Sequence, residues 1–508
     1  MKYGFIIDNR KCIGCHACSV ACKTENHVPL GVNRTWVKYV EKGRFPQVRR
    51  HFQVTRCNHC ADPPCVEICP VTAMFQRPDG IVDFDSGRCI GCKACMQACP
   101  YDAIYIDPEN QTAAKCNYCA HRVEVGLEPA CVIVCPEQAI VAGDLDHPES
   151  RIAQLLHQQT IAVRKPEAGT RPKLYYVEGE PAALIPTAAR HEAFYLWSQR
   201  NEELHGGGAD YSAESPFSRP DVLAAYDVDH ERPWGWRVPA YLWTKSIGSA
   251  PLLLPTLAAA VGWIPANRIR DMILALVALA FTTITALLLI TDLTRPERFL
   301  RILLTPQRRS WLARGGFILG GYSTLSGLFL LARLANWSAA AAILIWPTLA
   351  LGLEAAVYTA FLFAQCKGRE LWRTSLLAPH LIVQAGLAGA AVLASLPSGW
   401  GASDRTRAVA AWSLAVCLGL HALIVLEEIV LNRGSDNARY AARLITKGRY
   451  RNLFWVGSML AGVVLPGLLL ACDASNSIML SLAGALALAG LLAFEWCFVM
   501  AAQKVPNS

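Results

Sequence analysis

Sixteen cysteines between Cys12 and Cys135 are the residues best equipped for chemistry in this chain. They fall in four groups of four: Cys12, Cys15, Cys18, Cys22; Cys57, Cys60, Cys65, Cys69; Cys89, Cys92, Cys95, Cys99; and Cys116, Cys119, Cys131, Cys135. The first and third groups read C-x2-C-x2-C-x3-C, a spacing that holds iron–sulfur clusters in bacterial proteins. The second and fourth keep the plan but push the third ligand out by a loop, as C-x2-C-x4-C-x3-C and C-x2-C-x11-C-x3-C. Pro70, Pro100 and Pro136 follow the last cysteine of three groups, and Lys23 follows that of the first. Three thiolates on one tight loop can each grip one corner of a cubane cluster, and the fourth corner is filled from elsewhere in the chain. Disulfides would require an oxidising compartment and rarely show such short, regular spacing. Zinc knuckles pair two C-x2-C arms instead. The pattern predicts four 4Fe–4S centres.

The elements that carry these loops are short. Strand-like pieces at Gly4–Asp8, Ile81–Phe84 and Ile104–Ile106 separate them, so residues 1–150 read as an α+β ferredoxin-like domain. In two-cluster ferredoxins the fourth cysteine of one run ligates the cluster of the other. That exchange predicts Cys89, Cys92 and Cys95 with Cys69, and Cys57, Cys60 and Cys65 with Cys99. The outer pair becomes Cys12, Cys15 and Cys18 with Cys135, and Cys116, Cys119 and Cys131 with Cys22. Two lobes nested in sequence would align the clusters as a wire. Over residues 3–145 the pattern resembles the four-cluster electron-transfer subunits of molybdopterin oxidoreductases of the dimethyl sulfoxide and polysulfide reductase type. The resemblance implies a separate molybdopterin-type catalytic subunit as partner. Some of those relatives replace one ligand and carry a three-iron centre, whereas here every ligand position is Cys.

The 508-residue composition then changes abruptly. Residues 151–240 are polar and rich in Pro and Gly, as in "KPEAGTRPKLYYVEG" (165–179) and Gly206–Gly208. They read as an extended arm over the cluster domain followed by a linker, with Lys173–Val177 as a strand packed back on it. Residues 241–508 read as an all-α transmembrane bundle. Apolar stretches long enough for a ~30 Å hydrocarbon core run at Ile247–Ile264, Met272–Thr291, Gly315–Ala335, Ala339–Gln365, Leu376–Leu396, Ala408–Leu431, Leu453–Cys472 and Ile478–Ala502. Eight helices are expected, the first interrupted by Pro251 and Pro255. Cys366, Cys417, Cys472 and Cys497 stand singly there and read as small buried hydrophobes. The formal charge of +8 does not point to nucleic acid, because the basic residues sit in short loops between apolar segments.

Those loops orient the bundle. Sixteen Lys or Arg lie on the side of the cluster domain, against five (Arg268, Arg270, Arg333, Arg405, Arg407) on the far side. Positive loops stay inside, so the cluster domain is expected to face the cytoplasm from an inner-membrane anchor. The absence of an apolar h-region in Met1–Arg10 and of a twin-Arg leader agrees with that expectation.

The membrane half has a family likeness too. "PWGWRVPAYLWTKS" (233–246) and "DLTRPERF" (292–299) resemble the membrane anchors of the polysulfide reductase NrfD type, eight-helix quinone-binding proteins without haem. The resemblance implies a quinone head group held near the last cluster, with Tyr241 and Lys245 as the first-helix candidates and Tyr358 as a later one. Read from the residues alone, ionisable groups inside spans mark pathways. Glu354 and Tyr358, four apart, are expected on one face, with Glu354 at mid-membrane. His421 and Glu428 share another face, His380 and Gln384 a third, and Glu495 lies on the last helix. Such groups could carry the two protons that accompany two-electron quinone chemistry. A bis-His haem is not expected: counting ~1.5 Å per residue, His380 lies about 6 Å and His421 about 15 Å from the same surface. No C-x-x-C-H is present either.

These readings converge on a non-catalytic electron-transfer and membrane-anchor subunit. It would pass electrons through four 4Fe–4S clusters between a molybdopterin-type partner and menaquinone or ubiquinone in the lipid bilayer. The alternative is a redox-driven proton- or ion-pumping subunit, motivated by Glu354.

Overall fold

Phe5, Ile6 and Ile7 form an unbroken apolar run, which suits a strand covered on both faces. In the computed structural model, which describes residues 2–191 and 217–508, they lie in β1 (Tyr3–Asp8). Phe5 and Ile7 join one core with Val37, Tyr118 and Tyr176, while Ile6 joins another with Val141, Ile152 and Val177, as strand alternation requires. There follow α1 (Ala17–Glu25), the long hairpin β2 (Thr35–Arg44) and β3 (Gln47–Arg56), α2 (Pro64–Ile68), β4 (Met74–Gln76), β5 (Val82–Phe84), α3 (Ala94–Ala98), β6 (Ile104–Ile106) and β7 (Ala113–Lys115). Then come α4 (Ala120–Val123), α5 (Ala130–Ile133) and β8 (Ile140–Asp144). The pairs β4/β5 and β6/β7 are small antiparallel hairpins beside the cysteine loops.

Residues beyond 150 are woven into the same sheets. They contribute α6 (Arg151–Gln158), β9 (Ile161–Ala162), β10 (Leu174–Val177), α7 (Pro181–Leu184), β11 (Arg190–His191) and β12 (Val222–Tyr226). One sheet runs β8-β1-β10-β9, with β10 parallel to β1 in the register Phe5↔Leu174. The other runs β11-β12-β2-β3, with β12 antiparallel to β2. The strand expected at 173–177 is therefore β10; Gly206–Gly208 lie outside the described residues.

The membrane half opens with a broken helix, α8 (Arg237–Ser249) and α9 (Leu253–Ala260). The interruption expected in the first span, Ile247–Ile264, falls between α8 and α9, where Pro251 and Pro255 remove backbone donors that a continuous helix needs. At the break Tyr322 Oη donates to Gly248 O at 2.7 Å and Leu253 N to Ala250 O at 3.1 Å, while the missing side chains of Gly352 and Gly389 leave room for Ser249 O and Ala250 O. After it come α10 (Arg268–Thr291), α11 (Arg301–Leu304), α12 (Trp311–Leu334), α13 (Ser338–Gln365), α14 (Leu377–Ala394) and α15 (Asp404–Val425). The last runs on as a π-helical segment, Leu426–Leu431. The surface helix α16 (Asp436–Thr446) precedes a second π-helical segment, Leu453–Val464, that continues into α17 (Leu465–Asp473), and α18 (Ser477–Ala502) closes the bundle. Seven of these helical segments are long and apolar enough to span a membrane, and the broken α8–α9 pair stands where the first of the eight was expected.

Candidate functional site

Each cysteine loop curls its backbone through the left-handed region: Gly14 (φ 70°) and His16 (φ 60°), His59 (φ 41°), Gly91 (φ 69°) and Lys93 (φ 60°), and Tyr118 (φ 65°) and Cys119 (φ 50°). Such turns aim backbone N–H groups at an enclosed anion. The N–H groups of His59, Gly91 and Tyr118 donate to Cys57, Cys89 and Cys116 Sγ at 3.5, 3.4 and 3.4 Å. Those of Ala73 and Ala139 donate to Cys69 and Cys135 Sγ at 3.2 Å.

None of the sixteen cysteines is in a disulfide, and folding gathers them in new combinations. Cys12 lies in the field of Cys15 and Cys135, and Cys18 in that of Cys12. Cys22 senses Cys119 and Cys131, and Cys116 senses Cys22 and Cys119. Cys65 senses Cys57, Cys60 and Cys99. Cys69, Cys89, Cys92 and Cys95 line one small cavity. Electrostatic reach between sets orders them: Cys18 feels Cys131, Cys116 feels Cys57, and Cys95 feels Cys65. Burial pushes the Cys18 and Cys99 thiols up to about 12 and Cys22 to about 11, so thiolates here need positive charge close by. Arg56 supplies some, its Nη1 lying 2.8 Å from Cys131 Sγ. Sets of four sulfurs with inward N–H donors and buried cations fit 4Fe–4S clusters.

The loop after α10 seats the cysteine domain on the bundle. Thr294 Oγ1 donates to Gln111 O at 2.6 Å and Arg295 Nε to Asn110 O at 2.9 Å. Arg298 Nη1 donates to Ser86 O at 2.8 Å and Cys89 O at 2.9 Å, and Arg301 reaches Gly87 O. A Cβ at Gly91 would collide with Thr294 Oγ1. The segment 292–299, which carries part of the family likeness, is thus a docking loop around the third cysteine group. From the other side Trp234 Nε1 donates to Cys92 O at 3.1 Å, and its indole stacks on Trp372 with centroids 5.5 Å apart. Residues after α18 complete the seat: Gln97 Nε2 donates to Gln503 Oε1 at 2.6 Å, and Asn507 N to Asp102 Oδ2 at 3.0 Å.

A cavity of about 260 Å³ opens against Cys92, between α8, α10, α12 and α13. Its wall is apolar except for a few groups, among them Tyr241, Tyr358, Asp292, Thr282 and Ser323. Gly316 and Gly320 on α12 leave it wide. Asp292 pairs with Lys93 at 3.5 Å; burial pushes its carboxyl up, and Lys93 and Arg237 pull it partly back. Asp292 was not among the expected site residues. The signal in the sequence was its place at the end of a span, as the first residue of the docking segment.

The other expected residues divide. Tyr241 and Tyr358 share the cavity wall. Lys245 does not line it: one turn deeper on α8, it donates to Ala356 O at 2.8 Å and Thr359 Oγ1 at 2.9 Å, with the Tyr358 ring 5.3 Å away. Glu495 lies within electrostatic reach of Lys245. His421 and Glu428 meet through His380, whose Nδ1 lies 2.8 Å from Glu428 Oε2 and whose Nε2 lies 2.9 Å from His421 Nδ1. The depths counted along the sequence had kept the two histidines apart. They meet because α14 and α15 pack against each other, and a count at one uniform rise per residue also overlooks the π-helical run Leu426–Leu431 beyond His421. Oε1 of Glu428, Gln384 and Glu495 have no partner among the described residues. Glu354 departs from expectation. It is exposed on the outer face of α13 while Tyr358 is buried, because a four-residue step turns about 40° round a helix and crosses the edge of the packed face.

Two family models match the chain. The 4Fe-4S dicluster domain matches residues 48–145, and the model described as polysulphide reductase, NrfD matches residues 227–507. The chain is 46% identical over 202 residues to a tetrathionate reductase subunit of Salmonella typhimurium, covering 39% of this chain and 80% of that protein. It is 36% identical over 225 residues to the arsenate respiratory reductase iron-sulfur subunit ArrB of a Shewanella species, covering 35% and 96%. Protein NrfC of Escherichia coli K12 is 43% identical over 180 residues, covering 35% and 81%.

Proposed function

Because the chain belongs to the polysulphide reductase NrfD family and carries a 4Fe–4S domain ahead of that membrane part, we propose that it is a fused electron-transfer and membrane-anchor subunit. It would link a molybdopterin-type catalytic partner to the membrane quinone pool through four 4Fe–4S clusters. The single observation that carries this reading is the shared wall: Cys92 of the innermost cysteine set lines the same cavity as Tyr241 and Tyr358. We divide the chain into the cluster domain (1–150), the arm (151–240) and the quinone-binding bundle (241–508).

The sixteen cysteines serve as ligands in the sets Cys12, Cys15, Cys18, Cys135; Cys22, Cys116, Cys119, Cys131; Cys57, Cys60, Cys65, Cys99; and Cys69, Cys89, Cys92, Cys95. Bound clusters supply one-electron steps, so two successive transfers match one quinone. Tyr241 and Tyr358 orient the quinone oxygens by hydrogen bonds. Asp292, with its raised carboxyl, exchanges one quinone proton at the cluster end of the cavity. Lys245 with Glu495, and the His380, His421 and Glu428 set, hold further protons in the bundle. This scheme uses no haem.

At the opposite end of the series Cys15 is exposed. Ile13, Val20 and Ile133, which lie in or beside the loops of that outer set, are 56%, 63% and 56% exposed. An apolar collar round a surface cluster suits a catalytic subunit, and two of the named relatives are themselves subunits of reductases. The excess of basic residues on the cluster-domain side favours a cytoplasmic cluster domain in an inner-membrane protein.

The experiment is reduction of the clusters in the purified, iron-loaded full chain by an added short-tailed quinol, followed by absorbance bleaching and electron paramagnetic resonance. Rapid bleaching is expected without any partner subunit. A fully loaded chain inert to menaquinol and ubiquinol analogues alike would overturn the quinone reading.

A further inference from the structure

Arg56, the last residue of β3, is fully buried. Its Nη1 donates to Cys131 Sγ at 2.8 Å, and its guanidinium lies 4.7 Å over the ring of Phe5. Nε and Nη2 have no hydrogen-bond partner among the described residues. No described carboxylate forms an ion pair with it; the anionic groups whose field it feels are Cys131, Cys18 and Cys116. The position is therefore a junction between the outermost two cysteine sets. Other buried cations near sulfur are satisfied differently. Lys115 donates to Cys116 O and Val82 O, Lys173 to Gly80 O, and Lys93 beside the innermost set is matched by Asp292. Arg56 is the one cation among the described residues that donates to a cysteine sulfur.

A buried charge with neither a carboxylate nor full hydrogen bonding is costly. An anionic cluster on these thiolates would be its counter-charge. One-electron reduction makes such a cluster one charge more negative, and a cation and a hydrogen bond to a ligand sulfur both favour that form. We propose that Arg56 is a positioning residue that selectively raises the reduction potential of the cluster held by Cys22, Cys116, Cys119 and Cys131, making it an electron-holding step in the series. The proposal rests on the four-cluster reading above.

The test is a redox titration of the purified full chain, following each reduced cluster by electron paramagnetic resonance, in wild type, Arg56→Gln and Arg56→Lys. With Arg56→Gln, one cluster should show an at least tenfold lower reduced-to-oxidised ratio at the wild-type midpoint, equivalent to 59 mV for a one-electron couple. The Cys12 set should shift less and the two inner sets hardly at all. Arg56→Lys, which keeps the charge, should hold the ratio within about threefold. If Arg56→Gln loses one cluster, Arg56→Lys decides: retention upholds the counter-ion role, and equal loss overturns it. Four clusters with no selective shift in Arg56→Gln also overturn the proposal while leaving the cluster reading intact. A wild-type chain that loads fewer than four clusters overturns the cluster reading itself.

Discussion

Gly320 gives the most discriminating test of where quinone binds. It lines the cavity, and a Cβ built there meets nothing within 4 Å. An unfilled apolar cavity costs about 24 cal/mol per Å³. The space of about 260 Å³ here is partly open and Gly320 is exposed, so ~6 kcal/mol is the ceiling of its cost when nothing occupies it. A leucine side chain would take up roughly a third of that space, so Gly320→Leu should recover up to about 2 kcal/mol. Removing a glycine from a helix interior adds up to about 1 kcal/mol. The substitution should therefore raise the thermal midpoint of the solubilised chain by several degrees. It should also slow quinol-driven cluster bleaching at least tenfold, with the cluster spectra unchanged. The two effects have opposite sign, which separates occlusion of a site from misfolding: a misfolded variant would lose both stability and reactivity. A folded, fully loaded Gly320→Leu protein that bleaches at the wild-type rate would refute the assignment of this cavity to quinone.

Three further outcomes are expected. Asp292 has its carboxyl raised by burial and must be ionised to accept a quinol proton, so the rate of quinol oxidation should climb as pH rises through its value; Asp292→Asn should abolish that limb in a pH–rate profile. Gly91→Ala should destabilise the seat by about 1–2 kcal/mol from its left-handed backbone, with an added penalty from Thr294. In a double-mutant cycle of thermal unfolding, Thr294→Ala should relieve only that added part. Cys472, exposed at the end of α17 remote from the cluster domain, should react with a membrane-impermeant maleimide in intact cells if the cluster domain is cytoplasmic, and labelling only after lysis would reverse the orientation.

The cysteine spacing alone carried the cluster chemistry, because ligand geometry forces residues three and four apart onto one loop. The run Gly4–Asp8 likewise identified a strand, while its coverage on both faces came from the fold. Span positions followed from hydropathy, since apolar length against a bilayer is a one-dimensional property. Facing and depth are different. Glu354 and Tyr358 sit four apart, yet only packing against α12 and α14 decides which of them is inside. His380 and His421 lie on different helices, and counting residues from the ends of apolar runs assumes level helices of uniform rise; the packing of α14 on α15 brought them into contact. The break in α8–α9 was visible as Pro251 and Pro255, but the Tyr322 hydroxyl that donates to Gly248 O there, and the two glycines that make room for the break, were not. Asp292, Thr294 and Arg56 were not legible as site residues because their significance comes from partners 183 or 75 residues away, such as Gln111 and Cys131. Sequence by itself determined which chemistry the chain can hold and that it spans a membrane. Tertiary structure decided which charge lies beside the sulfurs and which cavity they adjoin, because those depend on distances that exist only once the chain is folded.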